Sequence, residues 1–543
     1  RDYVIDAFNA DKPYDQFLKE QIAGDLLPIK DDADWNENLI ATGFLAIGTK
    51  NLNERNPRQF ALDLADEQID TTTQAILGIT VSCARCHDHK HDPIPTADYY
   101  SLAGIFLSTK TYFGTVNAVQ NRRGTALLEL PVPDEEPLVK LSDTEVERLR
   151  NAVANLQSEQ AELLQEARRA RMDNTPNNAQ QRLLRIRSQL ANIRARLNGV
   201  DESGVAISKA MGVQEGQIVQ PVVLVRGELD KPAQRVERGI PQVFCDEPLD
   251  IPAEGSGRKE FADWLASEEN PLTARVFVNR AWGHLFGRGI VTSPNNFGTT
   301  GQAPSHPELL DHLALNFMED GWSIKSLVRD LVLTRSYRMA TTYDERAFAK
   351  DPDNTLLWRH SPQKVDAESL RDAMLAASGQ LDRQRPVGSD VARGGDSRVG
   401  GVRSGGRFAR GNNSPPRYRS VYLGAARDNL PEALALFDPA DSNLVTGRRE
   451  DTNVPDQALY LMNNPFVLRC AEAMAKRLAD EAEAPREQIS RAFAIAFARP
   501  ASNAEVSSAL SFLRHFADET NERDALSAFC QSLLISAEFR YLN

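Results

Sequence analysis

Residues 57–87 of the chain, PRQFALDLADEQIDTTTQAILGITVSCARCH, carry its strongest structural and chemical signals. Apolar side chains such as Phe60, Ile69 and Ile79 recur there at helical spacing, which predicts a helix over most of the stretch. The helix leads directly into the motif Cys83-Ala84-Arg85-Cys86-His87. We therefore expect the first part of the chain to be helical and to present this motif where a helix ends.

Outward from this stretch, the patterns predict a mainly α protein with two helical domains and, between them, a helical coiled-coil hairpin and a small β module. The predicted segments are a first helical domain at 1–125, the hairpin at 140–200, the β module at 204–252 and a second helical domain at 258–543. Within the last segment, residues 386–419 are rich in Gly, Arg and Ser, which predicts a mobile loop.

The hairpin is predicted from two runs of apolar side chains at spacings of three and four. The runs lie within residues 146–167 and 183–197, and the helix-breaking sequence DNTPNN separates them at 173–178. Two heptad-like helices joined by a turn form an antiparallel hairpin. Beyond it, the apolar runs Val222-Val223-Leu224-Val225 and Gln242-Val243-Phe244, among several Pro and Gly residues, predict the strands of the β module.

The composition is that of a globular protein of more than one domain. Charged residues make up 26% of the 543 residues and hydrophobic residues 41%, and the formal net charge of −13 argues against a general binder of nucleic acid or anionic membranes. The sequence contains no run of about 18 apolar residues, so it predicts no membrane-spanning helix. Because the sequence begins with Arg1 and shows no leader, we expect a processed product or a fragment. The isolated Cys245, Cys470 and Cys530 are expected to behave as small buried hydrophobic residues.

Two cysteines separated by two residues and followed at once by histidine are the pattern of covalent haem attachment. Cys83 and Cys86 would each bond one vinyl group of a single haem c, and His87 would be the proximal iron ligand. The sequence identifies no sixth ligand. The aromatic side chains that follow the motif are candidates to line the haem pocket, although packing alone would also account for them: Tyr99, Tyr100 and Phe106.

A metal site without haem is the main alternative. His87 and His91 would share one face of a helix, and with the two cysteines they would make a tetrahedral zinc site. His89, His91 and Asp92 are also candidate ligands for another divalent metal. The chain would then be a carbohydrate-processing or carbohydrate-binding protein with its metal at Cys83–Asp92. A third interpretation of the motif is a structural disulfide between Cys83 and Cys86 with surface histidines beside it. The third function hypothesis is a scaffold protein whose hairpin and Arg-rich loop bind partners.

The motif and its surroundings resemble a known family, the cytochrome-like domain of planctomycete proteins (PSCyt2 type). The matching stretches are Gly78 to Lys90, Asp92-Pro93-Ile94, Asp98-Tyr99-Tyr100 and the segments 1–9, 13–17 and 23–28. The second half resembles the planctomycete-specific domain (PSD1 type) that usually follows it. Its matching stretches are 275–280, 286–289, 304–310, 321–325, 366–372 and 455–459.

The resemblance implies that residues 1–125 are the C-terminal part of a cytochrome-like domain whose relatives usually carry a longer region before it. It also implies export, to the periplasm or beyond, which fits haem attachment outside the cytoplasm. We expect an exported c-type haem protein that acts in electron transfer or as a haem-dependent oxidoreductase. A link to polysaccharide degradation is expected by association alone. The expected partner is a redox protein or the missing N-terminal portion. Whether the chain is an enzyme stays open.

Overall fold

The structure is a computed structural model that describes residues 1–114, 122–131, 141–172, 178–202, 204–245, 247–386, 416–425, 427 and 430–542. Most of the predicted loop at 386–419 therefore lies outside the described residues. The chain is 55% helical, and the strands in its described part pair only in twos. The prediction of a mainly α fold is confirmed. No helix among the described residues combines the length and the apolar character that crossing a membrane requires.

Packing divides the chain into two compact units. The first comprises Arg1–Val332 with the short segment Asn443–Gly447, and the second comprises most of the described residues from Leu333 onward. This division groups residues by their contacts, whereas the four segments predicted above were drawn from local sequence pattern. The boundaries of those four segments stay predictions.

The first unit contains eleven described helices and six short strands. Its helices are α1 (Asp2–Asn9), α2 (Tyr14–Ala23), α3 (Asp32–Ala41), α4 (Pro57–Thr72), α5 (Thr96–Leu107), α6 (Asp143–Met172), α7 (Ala179–Leu197), α8 (Arg258–Leu265), α9 (Thr273–Phe286), α10 (Pro307–Glu319) and α11 (Ile324–Leu333). Its strands are β1 (Thr109–Tyr112), β2 (Leu128–Glu129), β3 (Lys209–Ala210), β4 (Gly212–Glu215), β5 (Val222–Leu224) and β6 (Pro232–Arg235).

Helix α4 forms where the sequence predicts it and positions the cysteine motif. The Asn56 side chain caps its first turn by accepting hydrogen bonds from the backbone N–H groups of Arg58 and Gln59, and proline fills the first helical position. A π-helical turn, Thr73–Leu77, continues the helix, and Gly78 ends it in the left-handed conformation at φ 61°. The chain then reverses into the motif.

Replacing Gly78 by Ala is expected to lower the free energy of unfolding by about 2–5 kcal/mol, because it combines left-handed backbone strain with overpacking. The added Cβ would lie 2.8 Å from Phe297 Cδ2 and 2.9 Å from Val276 Cγ2. The matched control is Gly239→Ala, where nothing lies within 4 Å of the added atom. Denaturant titration of both variants measures the difference, and equal stability would contradict the assigned packing at Gly78.

The predicted hairpin is present as α6 and α7. Their interface contains the buried side chains Leu163, Leu183, Ile186 and Leu190, at the spacings of three and four from which the hairpin was predicted. An exposed ion pair, Arg196 to Glu145 at 3.1 Å, joins the two helices near the base. Thirty residues of α helix extend about 45 Å.

The β module is less self-contained than its sequence indicates. Strands β3 and β4 pair antiparallel with β2 and β1, which precede the hairpin in the chain, so these pairs close the base of the hairpin insertion. Only β5 and β6 pair with each other. The strand predicted at Gln242–Phe244 is wrong: these residues form a 3-10 turn after Pro241.

Helices α8 to α11 pack in the core of the first unit. Arg258, at the start of α8, is fully buried, and its guanidinium donates to both carboxylate oxygens of Asp25 at 2.6 and 2.8 Å. The Tyr14 ring at the start of α2 lies 4.1 Å from the Phe277 ring of α9. The Tyr14 backbone N–H donates to the Trp322 carbonyl at 3.0 Å. Residues 258–332 thus pack directly on the first 25 residues.

The second unit is helical around its own core. Its helices are α12 (Glu345–Lys350), α13 (Ala367–Ala377), α14 (Glu432–Ala435), α15 (Pro455–Asn463), α16 (Pro465–Glu481), α17 (Pro485–Phe497), α18 (Asn503–Glu519), α19 (Glu522–Leu534) and α20 (Ala537–Arg540), and β7 (Gln363–Lys364) pairs with β8 (Tyr541–Leu542). Cys470 and Cys530 belong to this core, as expected, whereas Cys245 is half-buried in the first unit. Burial raises the pKa of the Cys470 thiol to about 11 and that of Cys530 to about 12.

Candidate functional site

The cysteine motif lies on the surface of the first unit in one short turn. Ser82–Arg85 form a 3-10 turn, and the Cys86 N–H donates weakly to the Cys83 carbonyl at 3.5 Å. Both thiols are free and exposed, and His87 beside them is exposed as well. The three side chains proposed to hold a haem are therefore all reachable from solvent at one place.

Arg85, between the two cysteines, anchors this turn to helix α4. Its guanidinium donates to Asp63 at 2.7 Å and to Asp66 at 3.0 Å. Burial alone would lower the pKa of the Arg85 guanidinium, but the hydrogen bonds and charges of these carboxylates raise it above its usual value. The arginine stays charged and clamps the turn, which leaves the flanking thiols free to face outward.

Two tyrosines of α5 support the turn from beneath. The Tyr99 hydroxyl donates to Asp66 at 2.6 Å and the Tyr100 hydroxyl to the Arg85 carbonyl at 3.1 Å. Both rings are only 1% exposed, and Phe106 is equally deep in the core, where its ring packs edge-on against Phe261. Burial raises the pKa of Tyr100 to about 12. These aromatic residues pack in the core beneath the motif, so packing accounts for their presence.

His87 has the hydrogen bond expected of a metal-binding histidine. Its Nδ1 lies 2.8 Å from the Asp88 carbonyl oxygen. A carbonyl only accepts, so this partner assigns the proton to Nδ1 and leaves the Nε2 lone pair free. Histidines that bind metals commonly donate their second ring N–H to a backbone carbonyl or a carboxylate in this way. The donor set of two exposed thiols and a free Nε2 fits a covalently bound haem.

His89 and Asp92 are placed differently from the exposed His87 and His91. Their side chains are 6% and 9% exposed, and His89 Nδ1 lies 3.3 Å from Asp92 Oδ2 and accepts from the Asp92 N–H at 2.9 Å. The other oxygen of Asp92 accepts from the backbone N–H of Thr299 at 2.7 Å and from its hydroxyl. Burial alone would raise the pKa of Asp92, but these hydrogen bonds from Thr299 lower it. The pair thus ties the loop after the motif to the segment between α9 and α10.

Of the candidate non-haem ligands, His89 and Asp92 contact each other, but they do not form part of a larger ligand group in the described part of the chain. Among the described residues, no group of three or more His, Cys, Asp or Glu side chains is arranged to hold a metal ion. The tetrahedral set of both cysteines with His87 and His91 is therefore not assembled in this structure.

Several residues that support the site were not foreseen. Asp63 and Asp66 could have been found from the sequence, because their spacing of three places both carboxylates on one helix face. No sequence feature points to Thr299, which lies more than 200 residues from its partner Asp92. Gly227 in the β5–β6 turn also approaches the motif: a Cβ there would lie 3.1 Å from Cys86 Sγ, and its φ of 72° favours glycine.

Two family models match the chain, in the order predicted from its sequence. Residues 1–111 match PSCyt2, a protein of unknown function (DUF1549), and residues 257–513 match PSD1, a protein of unknown function (DUF1553). No curated protein matches the chain, and no solved structure does. Neither family description states a reaction, a ligand or a partner.

Proposed function

Because the chain is a PSCyt2 domain followed by a PSD1 domain, two families without an assigned activity, we propose its function from the motif: an exported protein that binds one haem c. Cys83 and Cys86 would hold the haem covalently, and His87 Nε2 would bind the iron. The protein would be periplasmic or otherwise exported, would act in electron transfer or as a haem-dependent oxidoreductase, and would exchange electrons with a redox partner protein. A link to polysaccharide degradation belongs to the same proposal.

The observation that carries this proposal is the state of the three motif side chains. Two free thiols lie on one exposed turn, and the neighbouring His87 already donates Nδ1–H to a carbonyl. A bound haem would supply one-electron chemistry. The sixth ligand and solvent access would decide whether it transfers electrons or catalyses a reaction. The chain's own contribution is positional, because the clamp from Arg85 to Asp63 and Asp66 fixes the turn between the two thiols.

The other two hypotheses gain no comparable support. A non-haem metal would require ligands that the described residues do not bring together. A scaffold role rests on the hairpin and on the loop at 386–419, and most of that loop lies outside the described residues.

The test is a visible spectrum in alkaline pyridine together with an intact mass, on protein produced in a host that matures c-type cytochromes. We expect the spectrum of haem c and the mass of one haem on the peptide with Cys83 and Cys86. The double variant Cys83→Ser/Cys86→Ser is expected to lose both signals completely. Cys245→Ser, which changes a half-buried thiol outside the motif, is the matched control and is expected to keep them.

A colourless wild-type protein at the bare polypeptide mass, from that host, would overturn the haem proposal. Metal analysis of the same sample would then decide between the remaining hypotheses. Bound zinc that disappears in His91→Ala would favour the non-haem site, and an absence of metal would favour the structural pair.

A further inference from the structure

The second unit contains a cavity whose wall is strongly basic. The cavity has a volume of about 280 Å³ and is lined by four cationic side chains, with Glu472 as the only carboxylate among its lining residues in the described part of the chain. The four cations are Arg417, Arg469, Lys476 and Arg523. Such a concentration of positive charge is unexpected in a chain with a net charge of −13.

The cations come from three separate parts of the unit. Arg469 and Lys476 lie seven residues apart on α16 and therefore share one helix face, with Ala473 between them. Arg523 lies in the first turn of α19, where the helix dipole adds positive potential. Arg417 lies next to Tyr418, which forms an isolated β-bridge with Asp382. The fold, and not one basic stretch of sequence, brings the four together.

The four cations form no ion pair with any acidic side chain in the described ranges, and all four are exposed. Their neighbour Arg477 behaves differently, since it pairs with Glu481 one turn along the same helix at 2.9 Å. Like charges gathered around one concavity repel one another, and this favours the binding of an anion between them.

The floor of the cavity is apolar. Leu375, Phe466 and Cys470 line it, and all three are buried. Burial keeps the pKa of the Cys470 thiol at about 11, so the thiol is neutral at pH 7 and adds no negative charge. An apolar floor beneath a cationic rim fits a ligand with an organic body and an anionic head.

We propose that this cavity binds a small organic molecule whose head group carries two negative charges, such as a phosphate monoester. The excess of cations over carboxylates matches a dianion better than a single charge. The volume lies just below the range of typical ligand pockets, about 300–1,000 Å³, which limits the organic body to a single ring or a short chain. The cavity belongs to the second unit and the cysteine motif to the first, and the proposal does not rest on the proposed haem.

Calorimetric titration of the full chain with phenyl phosphate and with phenyl sulfate, at constant ionic strength, tests the proposal. The two probes share a body and differ in charge, so we expect saturable binding of phenyl phosphate and binding at least about fivefold weaker of phenyl sulfate. Inorganic phosphate, which lacks the body, is expected to bind more weakly than phenyl phosphate because it leaves the apolar floor uncovered.

The variant Arg469→Ala/Arg523→Ala is expected to weaken phenyl phosphate binding roughly tenfold or more, because each arginine supplies a charge-assisted hydrogen bond. Arg486→Ala removes an exposed arginine of α17 that does not line the cavity and is the matched control. Circular dichroism confirms that both variants stay folded, as exposed positions permit. Equal affinity of the two variants, or no saturable binding of any probe, would overturn the proposal.

Discussion

Arg258→Ala is expected to lower the free energy of unfolding of the first unit by about 3–5 kcal/mol, the cost of breaking a buried ion pair from one side. The guanidinium is fully buried, and Asp25, which it binds through both oxygens, is 3% exposed in its side chain. Removing the arginine leaves a carboxylate without its counter-charge in the core. It also leaves the Ile22 carbonyl without the hydrogen bond that Arg258 donates at 3.1 Å.

The neighbouring Lys259→Ala is the matched control. Lys259 pairs with Asp263 on the exposed face of α8 at 3.0 Å, and exposed pairs of this kind contribute only about 0.3–0.5 kcal/mol. Urea titration followed by circular dichroism compares the variants. The double change Asp25→Leu/Arg258→Met is expected to recover much of the loss, because it removes both charges. A loss in Arg258→Ala no larger than in Lys259→Ala would show that the pair is not buried as described.

Tyr14→Ala is expected to destabilise the first unit by about 3–5 kcal/mol, because a large buried ring leaves a cavity that its surroundings fill incompletely. The Tyr14 ring is 7% exposed and contacts an aromatic cluster from the later helices. Its ring centroid lies 4.1 Å from Phe277, 6.1 Å from Phe317 and 6.4 Å from Trp322. The loss would therefore loosen α9 and α10 as well as α2.

Tyr343→Ala provides the comparison for this prediction. Tyr343 is 55% exposed and belongs to the second unit, so its loss is expected to leave the unfolding transition of the first unit unchanged. Hydrogen exchange in Tyr14→Ala is expected to rise in α9 and α10 as well as in α2. Faster exchange confined to α2 would contradict the packing of the later helices on the first 25 residues.

Local pattern was enough to predict the helices and the hairpin. Helix α4 follows from its apolar spacing, and its end at Gly78 is a backbone requirement that glycine meets. The hairpin follows from spacings of three and four on both sides of a helix-breaking stretch. These signals are contained in neighbouring residues, so a single sequence displays them.

Long-range packing was not predictable in the same way. From the sequence, Arg258 would be expected on the surface like most arginines. Its burial depends on Asp25, an ion-pair partner more than 200 residues away in the chain. Strand β4 pairs with β1 across the whole hairpin, and strands of four residues carry too little pattern to select a partner. Cys83, Cys86 and His87 lie within five residues of sequence and could be proposed as a site, whereas the hydrogen bonds between Asp92 and Thr299 could not be predicted.

The contacts of Arg258 and Tyr14 within the first unit have a consequence for how such genes evolve. Each contact joins the segment matched by one family to the segment matched by the other, so a recombination breakpoint between codons 112 and 256 would separate coding segments whose products pack on each other. Either fragment, joined to an unrelated gene, would inherit an incomplete hydrophobic interior. Selection then favours keeping both coding segments together in one gene. Substitutions at positions 25 and 258 are expected to occur in pairs, each compensating for the other.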